Sequence, residues 1–503
     1  MTVAVAPVSI CALAHFPLTK AGKYIVPPGL CLIGTQPDAQ TVPNEAAVYA
    51  EGKDKMASDS SRRTRPTGAV KCSVVMVPMR DGVKLSTEVY RPAAAGRYPV
   101  ILQRSPYYNA IDVTGCKTTI GLGEDRLAAI AAQGYVVITQ EARGTSRSEG
   151  TFRPFVQEGN DGYDAIEWAA RQPWSTGKVG MYGGSYLGIV QWTAAIKRPP
   201  HLTTIVPSIT PTAFDQGLPY TGSAFSQATS QQWSSLSVGL DQFRRKLKAQ
   251  GASPIQVAAE VAARQKIMLQ AMISRSPGQT LPLGSDPAFI NDVTPWIANW
   301  LAQPTLDSYW KDSSAEDKYP TISIPVLNLG AFYDIFIWGA VAGYTGMHER
   351  AATPQARANA RLVLAGGGHS SGRNHYIGDL TFGAEHEIPN DLTMRWFDYW
   401  LKGIDNGVMK EPAVKLFVML PPDQGSVGSG FWATGDSFPL PGTQTTHYYL
   451  GGGHANTLGR AGTLSLNPSK AAGSDQYRYD PANPAPTYGG AWSGPALLPK
   501  GRI

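Results

Sequence analysis

The stretch MYGGSYLGIVQW at 181–192 sets Ser185 among glycines, where a strand-like run, KVGMYG (178–183), gives way to a helix-like one. A serine held on so sharp a turn has the geometry of a nucleophile. The turn demands small neighbours, because the serine backbone is pushed into an unfavourable region. Gly183 and Gly184 precede it, and Gly188 follows one helical turn later, where the helix must approach the strand. The spacing is G-x-S-x-x-G rather than G-x-S-x-G, so an ordinary glycine-rich turn stands beside the nucleophile reading.

A serine nucleophile needs a base, and the base needs an orienting acid. In α/β-hydrolase order these follow the serine as Asp or Glu and then His, each just past a sheet strand. Asp334 ends the strand-like NLGAFYD, and His369 ends LVLAGGGH. Of the eight histidines only His369 directly follows a parallel-strand pattern. His375 and His386 fall in the loop after it, His447 and His454 in a later β region, and His15, His201 and His348 have no partner motif. Alone, a histidine is usually a surface or structural residue and Asp334 an ordinary loop carboxylate. Chain order and strand-end position together favour a triad.

Acyl chemistry also needs donors aimed at a developing oxyanion. The backbone N–H of Tyr186, the residue after the serine, is one. A second is expected from the loop RSPYYN (104–109), where a tyrosine hydroxyl would reach the carbonyl oxygen. Pocket lining or plain packing is an equal reading of Tyr107 and Tyr108 on the sequence alone.

The elements that must carry these residues are legible as alternation. SVVMVPM (73–79) and VKLSTEVYRP (83–92) flank a tight RDG turn and read as a hairpin. Strand-like YPVILQRSPYY (98–108), helical EDRLAAIAAQG (124–134), strand-like YVVITQ (135–140) and helical DGYDAIEWAARQ (161–172) follow. The serine strand and helix and then TTIVPSI (203–209) complete the run, which predicts a mostly parallel sheet covered on both faces. The alternation breaks over 212–320, an aromatic, Gln-rich insertion with the size of a cap, helical in places (PIQVAAEVAARQKIMLQAMI, 254–273), and resumes at 324–334 and 360–369. After the helix NDLTMRWFDYWLKG (390–403), short strands between Gly and Pro suggest a small all-β domain over 406–503. The expected organisation is a poorly ordered extension over 1–70, an α/β-hydrolase domain at 71–211 and 321–405, the cap at 212–320, and the β domain.

Composition sets limits. The chain of 503 residues is 43% hydrophobic and 16% charged, with 12 Trp and 22 Tyr, enough for large cores and apolar pockets. The net charge of +6 is small, and the basic residues are scattered apart from Arg62, Arg63 and Arg65, so a nucleic-acid surface is not expected. Four cysteines (Cys11, Cys31, Cys72, Cys116) show no CxxC pair and no zinc-ligand spacing, and free thiols are expected. No run is long enough to span a bilayer, and no secretory signal is evident, so a cytoplasmic address is the default. No metal or organic cofactor is called for, the partner is a small ester or amide, and the pattern admits a homo-oligomer.

The segments VPMRDGVKLSTEVYRP (77–92), PVILQRSPYY (99–108), EARGTSRSEGTF (141–152), DGYDAIEWAARQPWSTGKVGMYGGSYLGIVQW (161–192), LGAFYDIF (329–336), GGGHSSGRN (366–374) and MRWFDYWLKG (394–403) resemble the cocaine-esterase-like CocE/NonD hydrolases, grouped with the S15 Xaa-Pro dipeptidyl-peptidases and the glutaryl-cephalosporin acylases. The resemblance implies an α/β-hydrolase fold with a helical cap and a C-terminal jelly-roll. It also implies a Ser185–Asp334–His369 triad, with the Tyr107 hydroxyl and the Tyr186 amide as oxyanion hole and Phe336 lining the acyl pocket. The G-x-S-Y-x-G form of the family explains the serine spacing. Two departures stand out. Glu141 and Thr145 replace the usual acidic and small residues of the D-x-RG-x-G-x-SEG motif, and the jelly-roll region stops at Ile503, earlier than in relatives. The expected function is a serine esterase or acylase. A dipeptidyl peptidase and a shortened, inactive member are the alternatives.

Overall fold

The computed structural model describes residues 69–107, 115–116 and 124–451, apart from 215–216, 223, 274–293, 306–307, 370–375, 378–379 and 421–427, together with 463–468, 478 and 480. Tyr108, His15, His375, His454, Cys11, Cys31 and all but the end of the expected 1–70 extension lie outside the described residues.

Residues 68–441 and 478–503 form one unit. It holds a ten-stranded sheet: β1 Val70–Pro78, β2 Lys84–Pro92, β3 Tyr98–Ser105, β4 Val136–Glu141, β5 Ser175–Gly184, β6 Leu202–Ser208, β7 Leu327–Ala331, β8 Arg361–Ala365, β9 Val414–Leu420 and β10 Ser429–Gly435, in the spatial order β1-β2-β4-β3-β5-β6-β7-β8-β9-β10. β4 through β9 run parallel to one another, and β1, β2 and β10 supply the antiparallel pairings at the two ends. The central strands are buried along almost their whole length, which is why VILQRS and VVITQE read as continuous rather than alternating runs.

Helices cover both faces. On one, α2 Glu158–Ala170 and α3 Tyr186–Ala195 pack Ala165, Ile166, Ile189, Val190 and Trp192 against Val100, Leu102, Val179 and Met181 of the sheet. On the other, α1 Glu124–Ala131 joins residues around 392–401, placing Leu127, Trp396, Phe397 and Leu401 beneath Ile101, Val137 and Val206.

The chain leaves the sheet after β6 and returns at β7. In between it forms a helix over Gln227–Gln232, a π-helical stretch Trp233–Gly239, α4 Leu240–Ala249, α5 Pro254–Ile273 and short helices at 296–301 and 308–311. The basic helix α4 docks on the 143–150 loop. Arg245 Nη1 donates to the carbonyls of Ser146 (2.9 Å) and Ser148 (3.1 Å), Gln242 Nε2 donates to Gly144 O, and Asp241 accepts the Ser146 N–H. Within that loop, Glu141 accepts from the Arg147 amide (2.7 Å) and Nε (2.8 Å), and the buried Thr145 hydroxyl donates to Ala142 O. Glu141 and Thr145 thus hold the loop together, and laid on D-x-RG-x-G-x-SEG the position that departs from glycine is Ser146, at φ 45°, rather than Thr145.

The sheet continues through β9, parallel to β8, and β10. One feature differs from expectation: Cys72 and Cys116 are not free thiols but form a disulfide, with Cα atoms 6.2 Å apart. A sequence separation of 44 carries no pairing signal; the fold brings the loop after β3 beside the outer strand β1. The other unit, residues 1–67 and 442–477, contains β11 Tyr449–Gly451 paired antiparallel with β12 Thr463–Ser465. Among the described residues, no helix is long and apolar enough to cross a membrane.

Candidate active site

Ser185 sits between the end of β5 and the first residue of α3, with φ 59° and ψ −126°. For a residue with a Cβ that conformation costs on the order of 1–3 kcal/mol and persists only where the surroundings enforce it. Here they do. The Ser185 N–H donates to Ser208 O (2.9 Å) and Ile209 O (3.2 Å) at the end of β6, and Ser185 O accepts the Thr210 hydroxyl (2.9 Å). The glycine requirement is steric. A Cβ on Gly183, at φ 140°, would lie 2.6 Å from Leu187 Cβ, and one on Gly188 would lie 2.5 Å from Thr210 Cβ.

Asp334 and His369 lie just past the ends of β7 and β8, and these ends are pinned to each other. Phe332 N donates to Ala365 O and Tyr333 N to Gly367 O, each at 3.0 Å. Asp334 is fully buried. Its Oδ1 accepts the Phe336 N–H, and its Oδ2 meets His369 Nδ1 at 2.7 Å. An ionised carboxylate only accepts, so Nδ1 carries the proton and Nε2 offers its lone pair. Nε2 lies 3.0 Å from Ser185 Oγ. The three residues singled out by chain order thus meet in one hydrogen-bonded line. The buried Phe336 ring stands edge-on to the imidazole, 5.3 Å between centroids, and restricts its rotation.

Tyr107, just past β3, brings its hydroxyl to the Ser185 hydroxyl and the Tyr186 amide. Burial pushes its pKa up, against the pull of hydrogen bonds from Trp233, Ser185 and the Tyr186 N–H. The hydroxyl and the amide named as oxyanion donors therefore converge beside the serine.

The sequence gives no hint of what stands behind them. The Tyr186 side chain points away from the serine and donates from its hydroxyl to Glu158 Oε1 at 2.7 Å; burial, and then Glu158, push that hydroxyl's pKa well above its ordinary value. Glu158 also takes Arg104 Nη1 at 2.8 Å, both side chains being buried. Burial raises the Glu158 pKa while Arg104 opposes it. Arg143 joins Asp161 to Asp81 alongside (2.6 and 2.7 Å). From the insertion, Trp233 lies flat on Tyr186, with centroids 5.6 Å apart and planes 9° apart, and its Nε1 reaches Tyr107 Oη at 3.4 Å. No spacing rule links Trp233 to a tyrosine 126 residues away.

A mixed sheet with helices on both faces, and a serine, a carboxylate and a histidine just past the ends of β5, β7 and β8, define the α/β-hydrolase class. The X-Pro dipeptidyl-peptidase S15 family matches residues 81–371, and the X-Pro dipeptidyl-peptidase C-terminal non-catalytic domain matches 406–491. The chain belongs to this family of serine hydrolases. It is 34% identical over 430 residues to cocaine esterase of Rhodococcus sp. (strain MB1 Bresler), covering 83% of this chain and 69% of the relative. Among solved structures, an alpha-amino acid ester hydrolase matches with TM-score 0.57 and 21% identity over 84% of this chain and 67% of its own. A CocE/NonD family hydrolase from Staphylococcus aureus matches with TM-score 0.50 and 21% identity over 76% of this chain and 57% of its own, so the chain spans little more than half of that relative's length. At those identities the two structures speak for the fold.

Proposed function

We propose that the chain hydrolyses carboxylic esters of small acyl groups through an acyl-enzyme on Ser185. The observation that carries this is the position of His369, 2.7 Å from Asp334 and 3.0 Å from Ser185 Oγ. His369 Nε2 takes the serine proton as Oγ attacks the carbonyl carbon, and Asp334 holds the tautomer and stabilises the imidazolium. The oxyanion is received by the Tyr107 hydroxyl and the Tyr186 N–H. The imidazolium then protonates the leaving alcohol. Water enters, gives a proton to His369 and attacks the acyl carbon, and the acid departs with Ser185 restored. Phe336, packed on His369, is placed to border the acyl group.

Esters are favoured over peptides. A dipeptidyl peptidase needs a carboxylate available to the substrate's α-ammonium, and among the described residues the buried carboxylates behind Tyr186, Glu158 and Asp161, are engaged by Arg104 and Arg143. The S15 family match supports the peptidase reading, and a chromogenic dipeptide with proline second, assayed beside simple esters, separates the two. The disulfide supports an oxidising place of action over the cytoplasmic expectation. Ser185→Ala should lower kcat on p-nitrophenyl acetate by at least about 10⁴-fold; wild-type turnover by that variant would overturn the proposal.

A further inference from the structure

We propose that Trp233, in the insertion, is a positioning residue for the oxyanion hole, holding both donors at once. This rests on the reading of Tyr107 and the Tyr186 amide as that hole. The indole Nε1 only donates. At 3.4 Å from Tyr107 Oη it therefore occupies a lone pair of the phenol oxygen, never its proton. The Tyr107 O–H is left for another acceptor, the carbonyl oxygen in the reaction. A hydroxyl that accepts one hydrogen bond donates the next more strongly.

The same indole fixes the other donor. Its ring lies parallel to Tyr186, whose far side is held by the Glu158 hydrogen bond, so the first residue of α3 is gripped from both sides. Phe155 stacks on Trp233 (5.7 Å, 23°) and leans on Tyr186 (5.3 Å, 32°), closing the cluster. Trp233 is itself kept in place by the insertion. Trp300 stacks on it at 6.0 Å, the adjacent Ser234 hydroxyl accepts the Trp296 indole N–H at 2.9 Å, and α4, shortly downstream, is fastened to the 143–150 loop. The insertion is thereby tied to the rate of the acyl step through one side chain.

A wall residue that merely packs against substrate would act equally with or without the Tyr107 hydroxyl; a residue acting through that hydroxyl would not. The test is a double-mutant cycle of Trp233→Phe and Tyr107→Phe on p-nitrophenyl acetate. Rates are referred to active sites titrated with a fluorophosphonate, so that partial misfolding does not imitate the effect. Trp233→Phe keeps the stacked ring and removes the N–H. We expect it to lower kcat about 5- to 30-fold with little change in KM, the scale of one hydrogen bond, and to add nothing in the Tyr107→Phe background. Affinity for a boronic acid, which mimics the tetrahedral adduct, should fall in parallel with kcat. Equal losses from Trp233→Phe in both backgrounds, or a loss confined to KM, overturn the inference and leave the oxyanion reading intact. Full kcat in Tyr107→Phe alone overturns the oxyanion reading, and the inference with it.

Discussion

The serine turn and the Tyr107–Tyr186 mouth beside it, which we propose as nucleophile and oxyanion hole, are built by opposite means. The turn is a backbone construction. Ser185 is locked by carbonyls of β6 and by Thr210, and Gly183 and Gly188 admit no Cβ without collision. The mouth is a side-chain construction. Tyr107 takes its partners from the serine turn and from the insertion, and Tyr186 takes its own from Arg104–Glu158 and Trp233. The chain beyond Tyr107 is tied down at Cys116 by a disulfide to β1 and at Gly115 O by Arg147. The lesson is about tolerance. A backbone turn fails as a steric whole, whereas a side-chain mouth can be loosened one partner at a time.

Three substitutions break or sharpen this contrast. The largest effect is expected from Glu158→Leu, which leaves Arg104 buried without its main counter-charge and Tyr186 without its acceptor. Removing one partner of a buried pair costs about 3–5 kcal/mol, so chemical denaturation should show that loss. A change below about 1 kcal/mol, the scale of an exposed pair, would mean that the ionic base does not hold the mouth. Next comes the joint change Cys72→Ser and Cys116→Ser. The bridge spans a sequence separation of 44, and its loss should cost about 2–4 kcal/mol, read as a lowered Tm, with kcat falling while Ser185 remains reactive. An unchanged Tm would show that β1 and the loop after β3 need no covalent tie. The smallest is Gly188→Ala, whose added methyl meets Thr210; overpacking of that kind costs about 1–3 kcal/mol. Chemical denaturation should show that loss, since the nearest contact is Thr210 Cβ, 2.5 Å away; unchanged stability would show that helix and strand part readily enough to admit a Cβ.

The contrast also separates what could be read in the sequence from what could not. Ser185, Asp334 and His369 were legible because each lies just past a parallel strand with a buried apolar stretch, and strand ends are where such a sheet exposes residues. The helix over 254–273 was legible to the residue, because an Ala-rich run after a proline needs no partner to declare itself. Tyr186 was legible only as a backbone donor, since nothing local says that its hydroxyl seeks a carboxylate on α2. Trp233 sits in a Gln- and Ser-rich π-helical stretch whose packing is decided by distant residues, so no periodicity marks it. The Cys72–Cys116 pairing was hidden for the same reason, because only the assembled sheet brings the two together. And the pairing of Val414–Leu420 with β8 is tertiary, which a strand pattern cannot specify.

The central claim is that Ser185 is an activated nucleophile, and it is most directly tested by covalent capture. The intact protein, treated with a fluorophosphonate at neutral pH, should gain one adduct, located by peptide mass spectrometry on the segment containing Ser185. His369→Ala should slow its formation by orders of magnitude. An adduct on another residue, or no adduct on natively purified protein, would contradict the account.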